Sequence, residues 1–371
     1  LSAVPAPVGR HLTIVLAGGG TGGHVYPALA MGAALQARGH KLVYFGEASR
    51  LEGRVVPERG IPFVPLKAPQ FPRAGLVSKL RFFGALLTSV VEARRHLKAQ
   101  GATFVLGVGG YISAPPVLAA WTLGIPRAVH EANVTPGLAN RLCARVADLV
   151  LLTYGATAAR LPGKAPRRVV GCPVNPAVMT GDRGAALARY GLSGDRPTLL
   201  VVGGSLGAKT LCELGVALAQ RPERPYQLLF VTGPSYFDAV RAQLEPAPPG
   251  LALRPYEDRM ADAFAVADLV LCRAGSSTLA ELTAIGKASV LVPSPNVTDN
   301  HQEGNARGLE AVGAAAVIVE EGMDIGAAIE RIEALLLDRT ALNKMASAAR
   351  GQGHPGTAEE VADLIEAQFA R

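Results

Sequence analysis

Apolar residues along this chain fall into short unbroken runs, each followed by small and polar residues and then by a mixed, helix-forming stretch. The first is "HLTIVLAGGGTGGHVYPALAMGAALQARGH" (11–40): an apolar strand, a glycine loop, and a helix that ends near Gly39. "KLVYFGE", "ATFVLGVGGY", "PRAVHEA" and "ADLVLLT" repeat the strand, with helical runs between them. At "PTLLVVGGSLGAKTLCELGVALAQ" (197–220) the pattern restarts, and "YQLLFVTG", "LALRPYED", "ADLVLCRAGSSTLAEL" and "ASVLVPSP" continue it. Strands that alternate with helices predict an α/β class built from two doubly wound, parallel-sheet domains. The linker is expected near "RRVVGCPVNPAV" (167–178), so that residues 1–171 form one domain, 172–352 a second, and 353–371 a C-terminal helix packing back toward the first. In such sheets ligands collect at the carboxyl ends of the strands, which places the expected site in a cleft between the domains.

With 371 residues, 49% of them apolar, the chain exceeds the usual single-core size, which agrees with two domains. Its four cysteines, Cys143, Cys172, Cys212 and Cys272, are far apart in sequence and form no C-x-x-C pair. That spacing points away from a zinc site or a disulfide framework and toward a reducing cytoplasm. The opening "LSAVPAPVGRHL" lacks a basic region followed by an apolar stretch, so no secretory signal is expected. Between Gln100 and Arg127 there is no charged residue, yet Gly107, Gly109, Gly110, Pro115 and Pro116 cut the stretch into pieces too short to span a bilayer.

Charge is divided unevenly. Up to Gly171 there are 20 Lys and Arg against 6 Asp and Glu, a net of +14; from Cys172 onward there are 17 against 24, a net of −7. A basic half suits an anionic membrane surface or a pyrophosphate. Aromatic residues are only 5% and no basic nucleic-acid module is present, so no nucleic-acid partner is expected. Within the basic half, "FPRAGLVSKLRFFGALLTSVVEARRHLKAQ" sets Phe71, Leu76, Leu80, Phe82 and Phe83 among Arg73, Lys79 and Arg81 at near-helical spacing. Such a helix either lies on an anionic bilayer or packs its apolar side into the core with its basic side solvated.

The chemistry sits in the loops after the strands. "GGGTGGH" (18–24) lets backbone approach a ligand closely and ends in amides that favour an anion. Four more loops share its construction: "GVGGYISAPP" (107–116), "HEANVTPGLANR" (130–141), "GGSLGA" (203–208) and "RAGSSTLAE" (273–281). A fifth, "PSPNVTDNHQEGNA" (293–306), carries Asp299, His301, Gln302 and Asn305. Taken in order over about 11–356, these motifs resemble those of the MurG family of bacterial glycosyltransferases, and as a set they are far more specific than any single loop.

The resemblance implies a GT-B glycosyltransferase: two Rossmann-like domains facing across a cleft, the second holding a UDP-sugar and the first a lipid-linked acceptor. The implied reaction moves N-acetylglucosamine from UDP-N-acetylglucosamine to the muramoyl 4-hydroxyl of lipid I, with inversion, giving lipid II for peptidoglycan synthesis and with it cell wall biogenesis, cell shape and division. On the donor side it implies Ser205 near the pyrophosphate, Ser276, Ser277 and Thr278 along the nucleotide, and Glu281 accepting from the ribose hydroxyls. Glu257 falls at the position whose backbone reads the uracil, and His301, Gln302 and Asn305 fall in the loop that recognises the sugar. Thr21, Gly22, Gly23, Asn133 and Asn175 fall at further donor-side positions, and Gly20, Thr21, His24, Tyr111 and Asn133 in acceptor loops. His24 is the expected general base, since an imidazole titrates near the working pH. Glu131 is the alternative base, or else a buried carboxylate that holds its loop together.

No D-x-D pair occurs in these loops, so no bound cofactor or fixed metal is expected, and a divalent cation that stimulates turnover non-specifically remains compatible. The location implied is peripheral, on the cytoplasmic face of the cell membrane, with cell-wall assembly or division proteins as further partners. Ala132 and Leu206 stand where family members commonly have Gln, and Asn175 where an Arg is usual, which bears on donor affinity more than on fold or reaction. Two other readings share many of these features: a UDP-sugar diacylglycerol glycosyltransferase, and a non-catalytic nucleotide-sugar-binding protein.

Overall fold

The computed structural model describes residues 10–71, 75–204, 207–297 and 300–370. Two compact units emerge from it, one formed by 1–175 with 354–371, the other by 176–353.

In the first unit the order is β1 (Thr13–Ala17), α1 (Gly22–Ala37), β2 (Lys41–Gly46), α2 (Leu51–Glu58), β3 (Phe63–Pro65), α3 (Leu76–Ala99), β4 (Phe104–Gly107), α4 (Ala114–Leu123), β5 (Arg127–Glu131), α5 (Leu138–Cys143), β6 (Leu149–Leu152) and β7 (Arg167–Val169). The strands form one parallel sheet in the order β3-β2-β1-β4-β5-β6-β7. Alternation along β1 explains its unbroken apolar run. Ile14 and Leu16 pack on one side with Leu29, Leu35 and Ile365, while Val15 and Ala17 pack on the other with Ala93, Leu97 and Val117.

The second unit runs α6 (Arg183–Tyr190), β8 (Thr198–Val202), α7 (Lys209–Ala219), β9 (Gln227–Val231), α8 (Phe237–Gln243), β10 (Leu251–Arg254), α9 (Met260–Val266), β11 (Leu269–Cys272), α10 (Ser276–Ile285), β12 (Ser289–Leu291), α11 (His301–Ala311), β13 (Ala316–Val317), α12 (Ile325–Leu337) and α13 (Arg339–Arg350). Its sheet is also parallel, in the order β10-β9-β8-β11-β12-β13. Leu199 and Val201 face Leu211, Leu214 and Ile332; Leu200 and Val202 face Phe264, Leu279 and Leu282.

The last helix, α14 (Thr357–Phe369), belongs to the first unit and lies against α1. Arg38 binds Asp363 and Glu366, the His40 ring meets Glu366 at 3.0 Å, and the Phe369 ring packs on Phe104. Three strands, β3, β7 and β13, have no counterpart in the sequence reading. Each is two or three residues long and lies at a sheet edge, too short for a periodic signal.

Among the described residues no helix is long and apolar enough to cross a membrane. The two alternatives for α3 are separated by its exposure. Val77, Leu80, Phe83, Leu87 and Val91, spaced three or four residues apart, all point to solvent, with Leu80 and Leu87 each 65% exposed. The helix buries a different side through Ala93 and Leu97, so its apolar stripe is not core. Phe71, Phe82 and Phe83 form a contiguous ring cluster at its start, flanked by exposed Lys79 and Arg81. Arg73 lies outside the described residues.

Candidate functional site

Each sheet reverses its strand order at one place, between β1 and β4 in the first unit and between β8 and β11 in the second. Loops at the carboxyl ends of such strand pairs splay apart and leave a ligand-binding crevice. The four loops concerned are "GGGTGGH", "GVGGY", "GGSLGA" and "RAGSS", so the topology gathers the motifs in two pairs.

The first glycine loop is braced from below. Tyr44 donates to the Gly18 carbonyl at 3.0 Å, and Gly20 N–H donates to the fully buried Glu52 carboxylate at 3.1 Å. Glu47 N–H reaches the same carboxylate at 3.2 Å. A Cβ on Gly19 would meet Glu52 Oε1 at 2.0 Å, so the loop can close over the carboxylate only because the residue there is glycine. Burial and the nearby Glu52 charge push the Tyr44 phenol well above its ordinary range, keeping it a hydrogen-bond donor.

His24 sits in the first turn of α1. Its Nδ1 lies 3.1 Å from the Gly19 carbonyl and 3.3 Å from the Thr21 hydroxyl. A carbonyl oxygen can only accept, so Nδ1 carries the ring proton and the basic lone pair is on Nε2. The ring packs against the loop after β4, where a Cβ on Gly109 would meet Cδ2 at 2.7 Å. Gly109 also has φ +96°, a backbone conformation that only glycine adopts at little cost. Beside it, the Tyr111 hydroxyl donates to Glu47 at 2.8 Å, and burial followed by that bond raises the phenol's pKa.

Glu131, at the end of β5, is buried and saturated. Oε1 accepts from Asn133 N–H at 2.9 Å and Asn133 Nδ2 at 3.2 Å; Oε2 accepts from Gly137 N–H at 3.1 Å and Asn140 Nδ2 at 2.9 Å. These four donors, all from its own segment, tie residues 131–140 together through its carboxylate. Its pKa is raised by burial, against the pull of these hydrogen bonds. Asn133 is thereby tied to Glu131, and buried Ala132 contributes no polar group. The neighbouring His130 is fully buried, with Nε2 donating to the Gly171 carbonyl at 2.9 Å, and burial lowers it to about 4, so it is neutral in use.

In the second unit, Ser276, Ser277 and Thr278 form the first turn of α10, where unpaired amides and the helix dipole favour an anion. The Ser277 hydroxyl is buried without a hydrogen-bond partner among the described residues. One turn on, the half-buried Glu281 is raised from 4.5 to about 7 by burial, with no donor to offset it among the described residues. Arg273 ties this loop to the next by donating to the Val292 carbonyl at 3.0 Å and pairing with Glu320. Asn305, fully buried, donates to the Ala274 carbonyl at 3.4 Å, and the Gln302 side-chain oxygen accepts from Ser294 N–H at 2.9 Å. Of the residues expected to read the sugar, these two thus have one face committed to shaping the loop; His301 opens α11. The buried Glu257 carboxylate is held by Arg189 at 3.0 Å and Arg259 N–H at 2.8 Å.

Asn175 is exposed at the end of the first unit's main segment. Ser205, Leu206 and Asp299 lie outside the described residues. Among the described residues no cluster of three or more His, Cys, Asp or Glu could hold a metal ion.

Sequence reasoning passed over Glu52, Glu47, Tyr44, Asn140 and Arg273. A signal was present for the carboxylates: the first 171 residues hold only six acids, and Glu47, Glu52 and Glu131 are three of them.

Two family models match the chain, the glycosyltransferase family 28 N-terminal domain over 14–152 and the family 28 C-terminal domain over 198–366. A relative from Halothermothrix orenii, named UDP-N-acetylglucosamine–N-acetylmuramyl-(pentapeptide) pyrophosphoryl-undecaprenol N-acetylglucosamine transferase, is 36% identical over 370 residues, covering 96% of this chain and 98% of its own. One of the same name from Frankia casuarinae is 39% identical over 362 residues, covering 95% of each. The crystal structure of Acinetobacter baumannii MurG superposes with a TM-score of 0.77 at 30% identity, covering 96% of this chain and all of that one.

Proposed function

The chain belongs to glycosyltransferase family 28 and, within it, to the MurG transferases, and on that premise we propose how its residues divide the work. It is a GT-B glycosyltransferase that moves N-acetylglucosamine from UDP-N-acetylglucosamine to lipid I, making lipid II. The observation that carries the residue assignment is the 3.1 Å approach of His24 Nδ1 to the Gly19 carbonyl, which favours the tautomer with the basic lone pair on Nε2.

In the proposed mechanism His24 Nε2 takes the proton of the muramoyl 4-hydroxyl as that oxygen attacks the anomeric carbon. The new C–O bond forms as the bond from that carbon to the phosphate oxygen breaks, and UDP leaves with the electron pair. A single displacement inverts the anomeric centre. The first-turn amides of α10 meet the pyrophosphate charge, as preorganised dipoles that need no rearrangement when it develops. Glu281 accepts from the ribose hydroxyls, for which a carboxylate without a protein donor is well suited. Gln302 presents its amide NH2 group to the sugar, its oxygen being engaged by Ser294. Tyr111, Asn133 and Thr21 line the acceptor side, and Glu131 keeps that loop in shape. A divalent cation, where it stimulates turnover, accompanies the substrates' phosphates and not a protein ligand set.

The exposed apolar stripe of α3, with Lys79 and Arg81 beside it, is the proposed contact with an anionic bilayer on the side where lipid I presents its head group. Cell-wall assembly or division proteins are the further partners this placement would allow.

The test offers a short-chain lipid I analogue and diacylglycerol side by side with UDP-N-acetylglucosamine. Product is expected from the first alone. His24→Ala should abolish transfer, by about 100-fold or more for loss of a general base, while calorimetry finds donor binding unchanged. Near-wild-type turnover in that variant removes His24 from the base role.

A further inference from the structure

Glu52 has been given no part in binding substrate, yet it is fully buried, it has no cationic partner among the described residues, and it lies beneath the loop that carries His24. The Gly20 N–H that it holds and the Gly19 carbonyl that His24 approaches belong to one and the same peptide group. In a trans peptide these two dipoles point in opposite directions along a line, so fixing the N–H fixes the direction of the C=O. A carboxylate accepting from the N–H also polarises that peptide and strengthens its carbonyl as an acceptor.

We propose that Glu52 is a positioning residue for transfer: through the Gly19–Gly20 peptide it fixes the His24 ring with the proton on Nδ1 and supports the positive charge that the ring gains. The chain of contacts runs carboxylate, peptide N–H, peptide C=O, imidazole Nδ1–H. It serves the purpose of a carboxylate paired directly with a histidine, but with a peptide group interposed. This deepens the reading of His24 as the base and rests on it.

Several features of the loop fit such a role. Tyr44 pins the preceding carbonyl, that of Gly18, and a flip of the Gly19–Gly20 peptide would break both its N–H contact to Glu52 and its C=O contact to His24. Gly110 closes over Gly19 from the β4 side, where any Cβ would meet the Gly19 oxygen at 2.4 Å. Glu52 lies in the first turn of α2, whose dipole favours a negative charge there, and Glu47 N–H gives it a second donor. The titratable and charged groups gathered about the loop are Tyr44, Glu47 and Arg50 from β2 and the turn after it, Tyr111 from the turn after β4, and His130 and Glu131 from β5. Substituting Glu52 leaves all of these residues in place; of them, Tyr44 alone has the Glu52 charge as a cause of its raised pKa, and it stays a neutral donor through its burial.

The test combines nitrogen NMR of the His24 ring, assigned by its loss in His24→Ala, with pH profiles of kcat/KM. In the wild-type protein the ring proton is expected on Nδ1; finding it on Nε2 overturns the proposal with no mutant needed. Glu52→Gln keeps the shape and removes the charge. It should lower kcat by about tenfold, leave the donor KM unchanged, and move the acid limb of the profile to lower pH by about half a unit, because a lost negative charge makes the imidazolium easier to deprotonate. Glu52→Asp, which keeps the charge, should leave the limb in place. A limb unmoved in folded Glu52→Gln, with His24→Ala inactive, overturns the role of Glu52 alone, whereas an active His24→Ala overturns the base reading on which it rests.

Discussion

Glu131 and Glu281 look alike in sequence: each follows a β-strand, each sits in or just beyond a loop of small and polar residues, and each was a natural choice for contacting substrate. The fold treats them oppositely. Glu131 has both oxygens filled by four donors from its own segment, whereas Glu281, half-buried, has none among the described residues and rises to about 7. A desolvated carboxylate with its acceptors consumed is scaffold. One that is half-buried and without a protein donor, its pKa raised by burial, keeps its acceptors available to a ligand, which is a common signature of a binding residue.

The comparison breaks first at Glu281. Glu281→Ala should weaken UDP-N-acetylglucosamine binding by about 100-fold in calorimetry, the worth of one or two hydrogen bonds to a charged acceptor, with little loss of thermal stability. Titration supplies a sharper form. The folded pKa lies above the ordinary 4.5, so the native protein holds this proton longer than the unfolded chain; the group's contribution to stability is full below about 4.5 and is lost as pH rises toward about 7. Hydroxyl donors favour the ionised form, so donor binding at pH 7 should release about half a proton, read from the buffer dependence of the binding enthalpy. Proton uptake, or none, would place Glu281 away from the donor.

Glu131→Gln should show the reverse balance. One oxygen becomes an NH2 group facing N–H donors, so unfolding should be easier by about 2 kcal/mol in denaturant melts, while donor affinity stays within a factor of about two. If the variant is stable but its acid limb is displaced, Glu131 is a titrating participant and not an anchor.

The smallest effect is expected at Ser277, whose buried hydroxyl has no partner among the described residues. Ser277→Ala should change the stability of the unliganded protein by less than about 0.5 kcal/mol, because no hydrogen bond is lost, yet weaken donor binding measurably. A clear destabilisation would mean that the hydroxyl serves the fold and not the ligand.

Much of this architecture was legible in the chain. Strands buried on both faces are apolar nearly throughout, so β1, β2, β4, β6 and β8 stand out as runs such as "TIVLA" and "TLLVV". The helix 76–99 was legible as amphipathic, but not which surface its apolar stripe would meet; only the packing of Ala93 and Leu97 shows that Leu80 and Leu87 point outward. His24 was legible as a candidate base from the company of its loop, and Glu52 was not, since 28 residues and an entire strand separate it from His24 in sequence.

By itself, then, the sequence determined the alternation of strand and helix, the placement of glycine loops at strand ends, and the family to which their order belongs. Those are local properties, set by side-chain periodicity and by the backbone freedom of glycine. Tertiary structure alone decided which carboxylates are answered and which are not, which nitrogen of His24 holds the proton, and which peptide Glu52 holds. Those depend on how the folded backbone aims its hydrogen-bond donors, from the same loop at Glu131 and from a segment 32 residues away at Glu52, and on how far each carboxylate is withdrawn from solvent.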